Sequence, residues 1–321
     1  MKGPLAILTR NGPSVLAAGV FLGLLVPALA QAARPLMPVT VFIFVLGTLL
    51  RVDPATVWAV ARRPAVSVLL PLCATVVCPV VVGFAGHALG LPPAWTLALV
   101  LAYCAPPSSG TSAVARMLGL DAAVALVATL AAMALVPFTA PLLAQWFGGD
   151  AGMAIAPSSL ALRLLFLVGS AEGVAIVVRR LAKERLAAHA GAIDGIVVVA
   201  LLVFALGTMA GMQQSLLGDP HRVMVAIALA FAVNLGVQCT AYLLTPGSVR
   251  ARLNVALLMG NRNVGLLWAA LGAAATPAIA LFFACAQLPI YLLPRVIQSL
   301  LPHLESLGER RRAARELRAS E

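Results

Sequence analysis

Two polar stretches lie inside otherwise apolar runs, and they hold the residue types best suited to binding chemistry. One reads Cys104-Ala105-Pro106-Pro107-Ser108-Ser109-Gly110-Thr111-Ser112, the other Met259-Gly260-Asn261-Arg262-Asn263-Val264-Gly265. Pro106 and Pro107 remove backbone donors and clash with the preceding turn, and Gly110, Gly260 and Gly265 loosen the chain beside them, so both stretches are expected to break a helix. Ser109, Thr111, Ser112, Asn261 and Asn263 supply neutral donors and acceptors, while Arg262 supplies a fixed positive charge able to grip a carboxylate or sulfonate. A guanidinium at the bilayer centre costs at least ~2.5 to 3.5 kcal/mol on insertion scales, so Arg262 calls for a partner. Two readings compete. Arg262 binds an anionic ligand, or it pairs with an acidic side chain, for which Glu172 is the internal candidate; Glu172 could equally carry a proton.

Other chemistries find no constellation. His87, His189, His221 and His303 fall at the ends of apolar segments, and Cys73, Cys78, Cys104, Cys239 and Cys285 lie within them without metal-type spacing. No glycine loop of the phosphate-cradling kind is present. The expectation is a chain that is not an enzyme, with no cofactor and no metal. Asn234, Gln238, Thr240 and Gln287 suit interhelical hydrogen bonding or cavity lining, and Asp194 suits a helix cap or an ion pair with a nearby arginine.

The elements that carry these residues follow from composition. Of 321 residues, 62% are hydrophobic and 10% charged, and the mean hydropathy is +1.01, which leaves too little polar surface for a soluble protein. The apolar runs have the length needed to cross a bilayer. Hydropathy and punctuation predict an all-α membrane protein of ten spans, at 12–32, 36–50, 65–89, 93–118, 121–147, 158–180, 187–212, 220–245, 249–274 and 276–303. The first span could alternatively be a cleaved signal peptide, since Lys2 and Arg10 precede it and it runs into Ala-Leu-Ala-Gln-Ala-Ala. The net charge of +11 resides in joints and tail, so it sets topology and does not point to nucleic acid. With ten spans, Arg34, Arg163 and Arg222 fall on one face. Lys2, Arg10, Arg51, Arg62, Arg63, Arg116, Arg179, Arg180, Lys183, Arg185, Arg250, Arg252 and the tail arginines fall on the other, which places both termini in the cytoplasm. The tail, 305–321, is expected to be a solvated extension or a surface helix drawn to anionic lipid.

The chain also repeats itself. Leu118-Gly119-Leu120-Asp121, running on to Pro137, Pro141 and Gln145, is echoed by Leu271-Gly272-Ala273-Ala274, running on to Pro289, Pro294 and Gln298; Gly12-Pro13-Ser14 is echoed by Ala156-Pro157-Ser158. Two five-helix units, 1–150 and 151–304, are implied, and an odd number of crossings inverts the second. Inverted repeats built around broken helices are a mark of secondary transporters. Broken backbone at membrane depth persists only where it is buried in protein or lines a hydrated space, and a central cavity is the expectation here.

On these residues the sequence resembles the bile acid:sodium symporter family. Pro106 to Ser112 followed by Leu118 to Asp121 is similar to that family's fourth-helix break, and Gly260-Asn261-Arg262-Asn263-Val264-Gly265-Leu266 to its ninth-helix motif, Gly-Met-Gln-Asn-Ser-Gly-Leu. The resemblance covers essentially the whole chain and extends to the broad fold of auxin carriers and arsenite permeases. It implies a panel domain of helices 1, 2, 6 and 7 rocking against a core of helices 3–5 and 8–10, and transport of organic anions with sodium across a bacterial inner membrane. The sodium-binding glutamate of the family corresponds to Leu258, the motif's glutamine to Arg262, the fourth-helix Ser-Asn pair to Thr111 and Ser112, and hydroxyl positions of the fifth helix to Ala125 and Thr129. A cation site that has lost its carboxylate and gained a guanidinium should bind sodium poorly.

The function expected is therefore secondary transport of a small organic anion by alternating access, with sodium coupling weakened or absent. Substrate contacts are expected at Arg262, Asn261, Asn263, Ser109, Thr111 and Ser112, and coupling groups at Glu172, Thr129 and Gln238. A sodium-coupled symporter and a non-transporting sensor or channel on the same scaffold are the alternatives. Besides substrate, membrane lipids and a second copy of the chain are the partners to consider.

Overall fold

The structure, a computed structural model, describes residues 12–149 and 155–320, and those residues form helices and turns without a named strand. Seven helices are long and apolar enough to cross a membrane, so this is a multi-pass α-helical membrane protein. In chain order the principal elements are α1 (Gly12–Leu25), α2 (Pro27–Leu50), α3 (Ala65–Ala88), α4 (Pro93–Cys104), α5 (Thr111–Met117), α6 (Ala122–Gly148), α7 (Pro157–Leu181), α8 (Ala190–Thr208), α9 (Pro220–Leu244), α10 (Val249–Gly260), α11 (Val264–Leu271) and α12 (Pro277–Ser320). Lys2 and Arg10, on which the leader alternative rests, lie outside the described residues, as do 150–154 at the expected joint between the two units.

Boundaries follow local chemistry. Asp53 caps the short helix Pro54–Ala61, Asp121 caps α6, Asp219 caps α9, Ser248 caps α10 and Asn263 caps α11, each with side-chain oxygen accepting backbone N–H from the first turn. Asp194 lies in the first half of α8 and pairs with Arg51 at 3.0 Å.

The first hairpin departs from expectation. The chain was expected to reverse near 33–35, yet the reversal falls at Val26, where φ is −122° and ψ 80°. Packing against α8 shows the direction. Positions 19 and 23 of α1 meet Leu202 and Leu206, whereas Met37 and Gly47 of α2 meet Gly207 and Val197, so α1 runs along α8 in the same sense and α2 in the opposite one. Val26 precedes a proline and is pushed out of the α region, and Pro27 then opens the next helix. Arg34 and Pro35, which seemed to mark the joint, sit in a 3-10 turn within α2.

A second irregularity lies in α3. α3 contains two wide turns of π type, Ala65–Leu69 and Cys73–Val77, each followed closely by a proline, Pro71 or Pro79. The Cys78 amide donates to the Cys73 carbonyl, five residues back. The next amide in that register would be Pro79, which has no N–H, so the Ala74 carbonyl is left without a backbone donor.

Packing sorts the helices. α8 lies against α1 and α2, and α2 against α7; separately, α4 lies against α3, α6 and α12, and α9 against α10 and α12. The two sets meet where α7 touches α6, α1 touches α12, and α11 touches α2 and α7. Glycines allow the close approaches: a Cβ at Gly23 would sit 3.0 Å from the Leu206 carbonyl oxygen and 3.2 Å from the Leu206 Cα. Because backbone atoms cannot give way, Gly23→Leu is expected to cost about 1 to 3 kcal/mol and to lower the melting temperature in detergent. Gly169→Leu, whose Cβ would meet nothing within 4 Å, should leave it unchanged.

Candidate functional site

Both polar stretches break their helices as the prolines and glycines predict. α4 stops at Cys104 and the chain turns extended at Ala105 (φ −56°, ψ 142°) before α5 begins at Thr111; α10 stops at Gly260 and leaves the helix at Asn261 (φ −90°, ψ 86°) before α11 begins. The unwound segments then pair with each other. The Ser108 amide donates to the Asn261 carbonyl at 2.7 Å and the Asn263 amide to the Pro106 carbonyl at 2.8 Å, around an antiparallel bridge between Pro107 and Arg262. Each break thus satisfies backbone groups that the other exposes.

Arg262 is 3% exposed and sits at the centre of this crossing. Its Nε donates to the Met259 carbonyl at 2.8 Å, and its Nη1 to the carbonyls of Ala74 at 2.9 Å and Ala105 at 3.2 Å. All three acceptors lost a backbone donor for a local reason. Ala74 faces Pro79 in the wide turn of α3, Ala105 lies past the end of α4, and the Asn263 amide that would have served Met259 bonds Pro106 instead. The guanidinium also stands over the Tyr103 ring, 5.3 Å from its centroid. α4 and α10 both point their C-terminal, partially negative ends here, which favours a cation. The guanidinium is therefore held by carbonyls, and of the two partners considered for it Glu172 is not the one it meets: Glu172 is exposed on α7 and makes no ion pair among the described residues.

The other expected site residues gather around the same point. Asn261 Nδ2 donates to the Thr111 hydroxyl at 3.3 Å, linking the breaks, and Asn263 Oδ1 accepts from the Leu266 amide at 3.2 Å. The Ser108 hydroxyl accepts from Gly110 N at 3.3 Å, and the N-cap position of α5 is Gly110 itself. At the crossing, four buried polar atoms have no partner among the described residues: Ser109 Oγ, Asn261 Oδ1, Arg262 Nη2 and Asn263 Nδ2. The expected open cavity is not what keeps the breaks stable. Ser109, Thr111, Asn261, Arg262 and Asn263 are covered by protein, and only Ser108, Gly110 and Ser112 are half-buried at the edge.

The expected coupling groups divide. Gln238 packs across Gly260, where a Cβ would come within 2.4 Å of its Cγ, and donates to Asn234 Oδ1 at 2.5 Å; Asn234 in turn donates to the Gly260 carbonyl at 2.8 Å. The Thr129 hydroxyl donates to the Ala125 carbonyl at 2.8 Å within its own helix. Leu258 is fully buried in an apolar cluster with Ala115, Leu118, Ala125 and Leu257, so no oxygen stands at its position. Among the described residues no group of three or more His, Cys, Asp or Glu is placed to hold a metal ion.

The two sides of the crossing are unequal. On one, Gly265 of α11 lies under the Phe204 ring, which stacks edge-on to Phe44 at 5.9 Å, and Arg163 Nη1 donates to the Ala270 and Leu271 carbonyls at 3.3 and 3.2 Å. On the other, α5 packs on α6 and α10 and leaves Ala113, Arg116 and Met117 exposed. Sequence reasoning missed Ala74, Tyr103 and the Phe44–Phe204 pair. Pro79 signals a freed carbonyl at Thr75 if the helix is regular; the wide turn Cys73–Val77 moves it to Ala74, and nothing in the sequence marks that shift.

Arg262→Ala is expected to lower stability by at least about 2 kcal/mol, because unpaired buried carbonyls cost about 1 to 3 kcal/mol each. Arg262→Lys, reaching fewer acceptors, should fall between; thermal unfolding of the purified full chain in detergent reads the order. The chain matches no family model and no curated protein.

Proposed function

We propose that this protein is a secondary transporter of a small organic anion that works by alternating access, related in design to the bile acid:sodium symporters but without their sodium coupling. The observation that carries the reading is the crossing itself: two interrupted helices joined through their breaks, with buried polar atoms that no protein group satisfies. Membrane proteins tolerate such a construction where a solute must be stripped of water and held at mid-depth. Three of the four unpartnered atoms can donate, at Ser109, Arg262 and Asn263, and no carboxylate pairs with Arg262 among the described residues. An acceptor-rich solute such as a carboxylate fits that imbalance.

In this reading the chain crosses the inner membrane ten times with both termini in the cytoplasm, α4–α5 and α10–α11 each counting as one interrupted span, and its halves are inverted repeats. α1, α2, α7 and α8 make the panel and the remaining helices the core. The Arg163 and Phe204 contacts of α11 then close the outer side, while exposed α5 marks an approach from the cytoplasm. Sodium is dispensable because Arg262 already occupies the carbonyl cage and Leu258 offers no ligand.

Uptake of organic anions into proteoliposomes, with sodium or potassium gradients at fixed pH and voltage, tests this directly. Concentration-dependent, saturable uptake unchanged by sodium is expected; steep sodium dependence would restore a sodium symporter, and no uptake of any anion would favour a sensor or channel. A second outcome follows from the two unequal sides. Ala113→Cys should react with a maleimide in detergent, Leu266→Cys should be protected, and removing the Arg163 contacts with Arg163→Gln should raise the reactivity at position 266.

A further inference from the structure

Away from the crossing, α3 and α9 flank an open cleft of about 700 Å3, with Leu99 of α4 and Val255 and Met259 of α10 as its floor. That volume lies within the ~300 to 1,000 Å3 of small-molecule sites. Its walls are almost wholly apolar, and several of them are turned outward: Leu69, Val77 and Leu244 are more than half exposed. On α3 the lining runs from position 65 to position 89, which at 1.5 Å per residue is about 36 Å, comparable with the thickness of the hydrocarbon layer.

We propose that this cleft is a binding site for an acyl chain of an anionic bilayer phospholipid, with its headgroup at the end marked by Ala65 and Thr245. Depth and charge identify the occupant. Both walls are membrane-crossing helices, so the medium outside the cleft is hydrocarbon, and a groove lined this way offers a polar ligand nothing to bond beyond the Thr240 and Thr245 hydroxyls. At the Ala65 end the neighbouring basic residues are Arg62 and Arg63, both exposed, and Arg252, which donates to the Tyr242 and Leu243 carbonyls beside Leu244 and Thr245. Such a cluster at the membrane surface attracts anionic headgroups. The floor also connects to the crossing, because Met259 gives its carbonyl to Arg262. A chain seated there backs the carbonyl cage from the lipid side. The site depends only on the membrane fold and not on the transport reading.

Gly236 provides the test, since it lines the cleft and a Cβ there would meet nothing within 4 Å. The full chain is reconstituted in equal parts phosphatidylglycerol and phosphatidylcholine, extracted in mild detergent and weighed by native mass spectrometry. The wild type should retain phosphatidylglycerol in preference to phosphatidylcholine. Gly236→Phe should reduce the retained lipid at least about tenfold, Gly169→Phe should not, and Arg62→Gln with Arg63→Gln should abolish the headgroup preference. Equal retention by Gly236→Phe would overturn the site, as would a wild-type dimer that Gly236→Phe converts to monomer, since the cleft would then be covered by a second copy. Retention without headgroup preference would overturn the anionic assignment.

Discussion

The guanidinium of Arg262 gathers backbone carbonyls from three helices that have each lost a donor, and the arrangement of the crossing depends on that contact. Interrupting a helix at membrane depth normally exposes groups with no water to satisfy them. Here the interruptions are matched. The extended segments around Pro107 and Arg262 bond each other, and the acceptors they cannot reach are collected by one side chain that carries charge as well as donors. Its positive charge also answers the negative ends of α4 and α10, which converge on the same point. A cost of burial that would be prohibitive for an isolated arginine is offset by three hydrogen bonds and an aromatic face.

If the protein is the transporter proposed, this arrangement separates holding the helices together from binding the solute. Where a mobile cation holds such a crossing, its departure can couple to transport. An arginine cannot leave. The atoms that remain unserved, on Ser109, Asn261, Asn263 and the second guanidinium nitrogen, are the ones free to meet a ligand, and they lie between a side sealed by Phe204 and Arg163 and a side where α5 is exposed. Under the proposed transport reading, a crossing packed more heavily on one side than on the other is the asymmetry that alternating access would use.

Much of this was legible in the residues. The length of the apolar runs pointed to an all-α membrane protein, and Pro106, Pro107 and Gly260 placed the breaks, because a missing amide and a missing Cβ act locally. Asn263 as a cap and Arg51 with Asp194 were within reach for the same reason. Partners across the fold were not. For Arg262 the sequence offered an anionic ligand or Glu172, because a buried charge suggests an opposite charge, whereas its acceptors are uncharged carbonyls: one left free at a wide turn in another helix, one past a helix end and one in its own segment. The reversal at Val26 was misplaced because Arg34 and Pro35 gave a stronger hydropathy signal than Pro27, although a proline after a β-branched residue is the more decisive backbone constraint.

Chemical rescue decides whether a fixed side chain holds the crossing together as a bound ion would. Arg262→Ala leaves a guanidinium-shaped space lined by the carbonyls of Ala74, Ala105 and Met259. Guanidinium ion added at millimolar concentration should raise the melting temperature of that variant saturably and leave the wild type unchanged. If the variant gains nothing from the ion, or gains no more than the wild type, the carbonyl cage is not what stabilises the crossing.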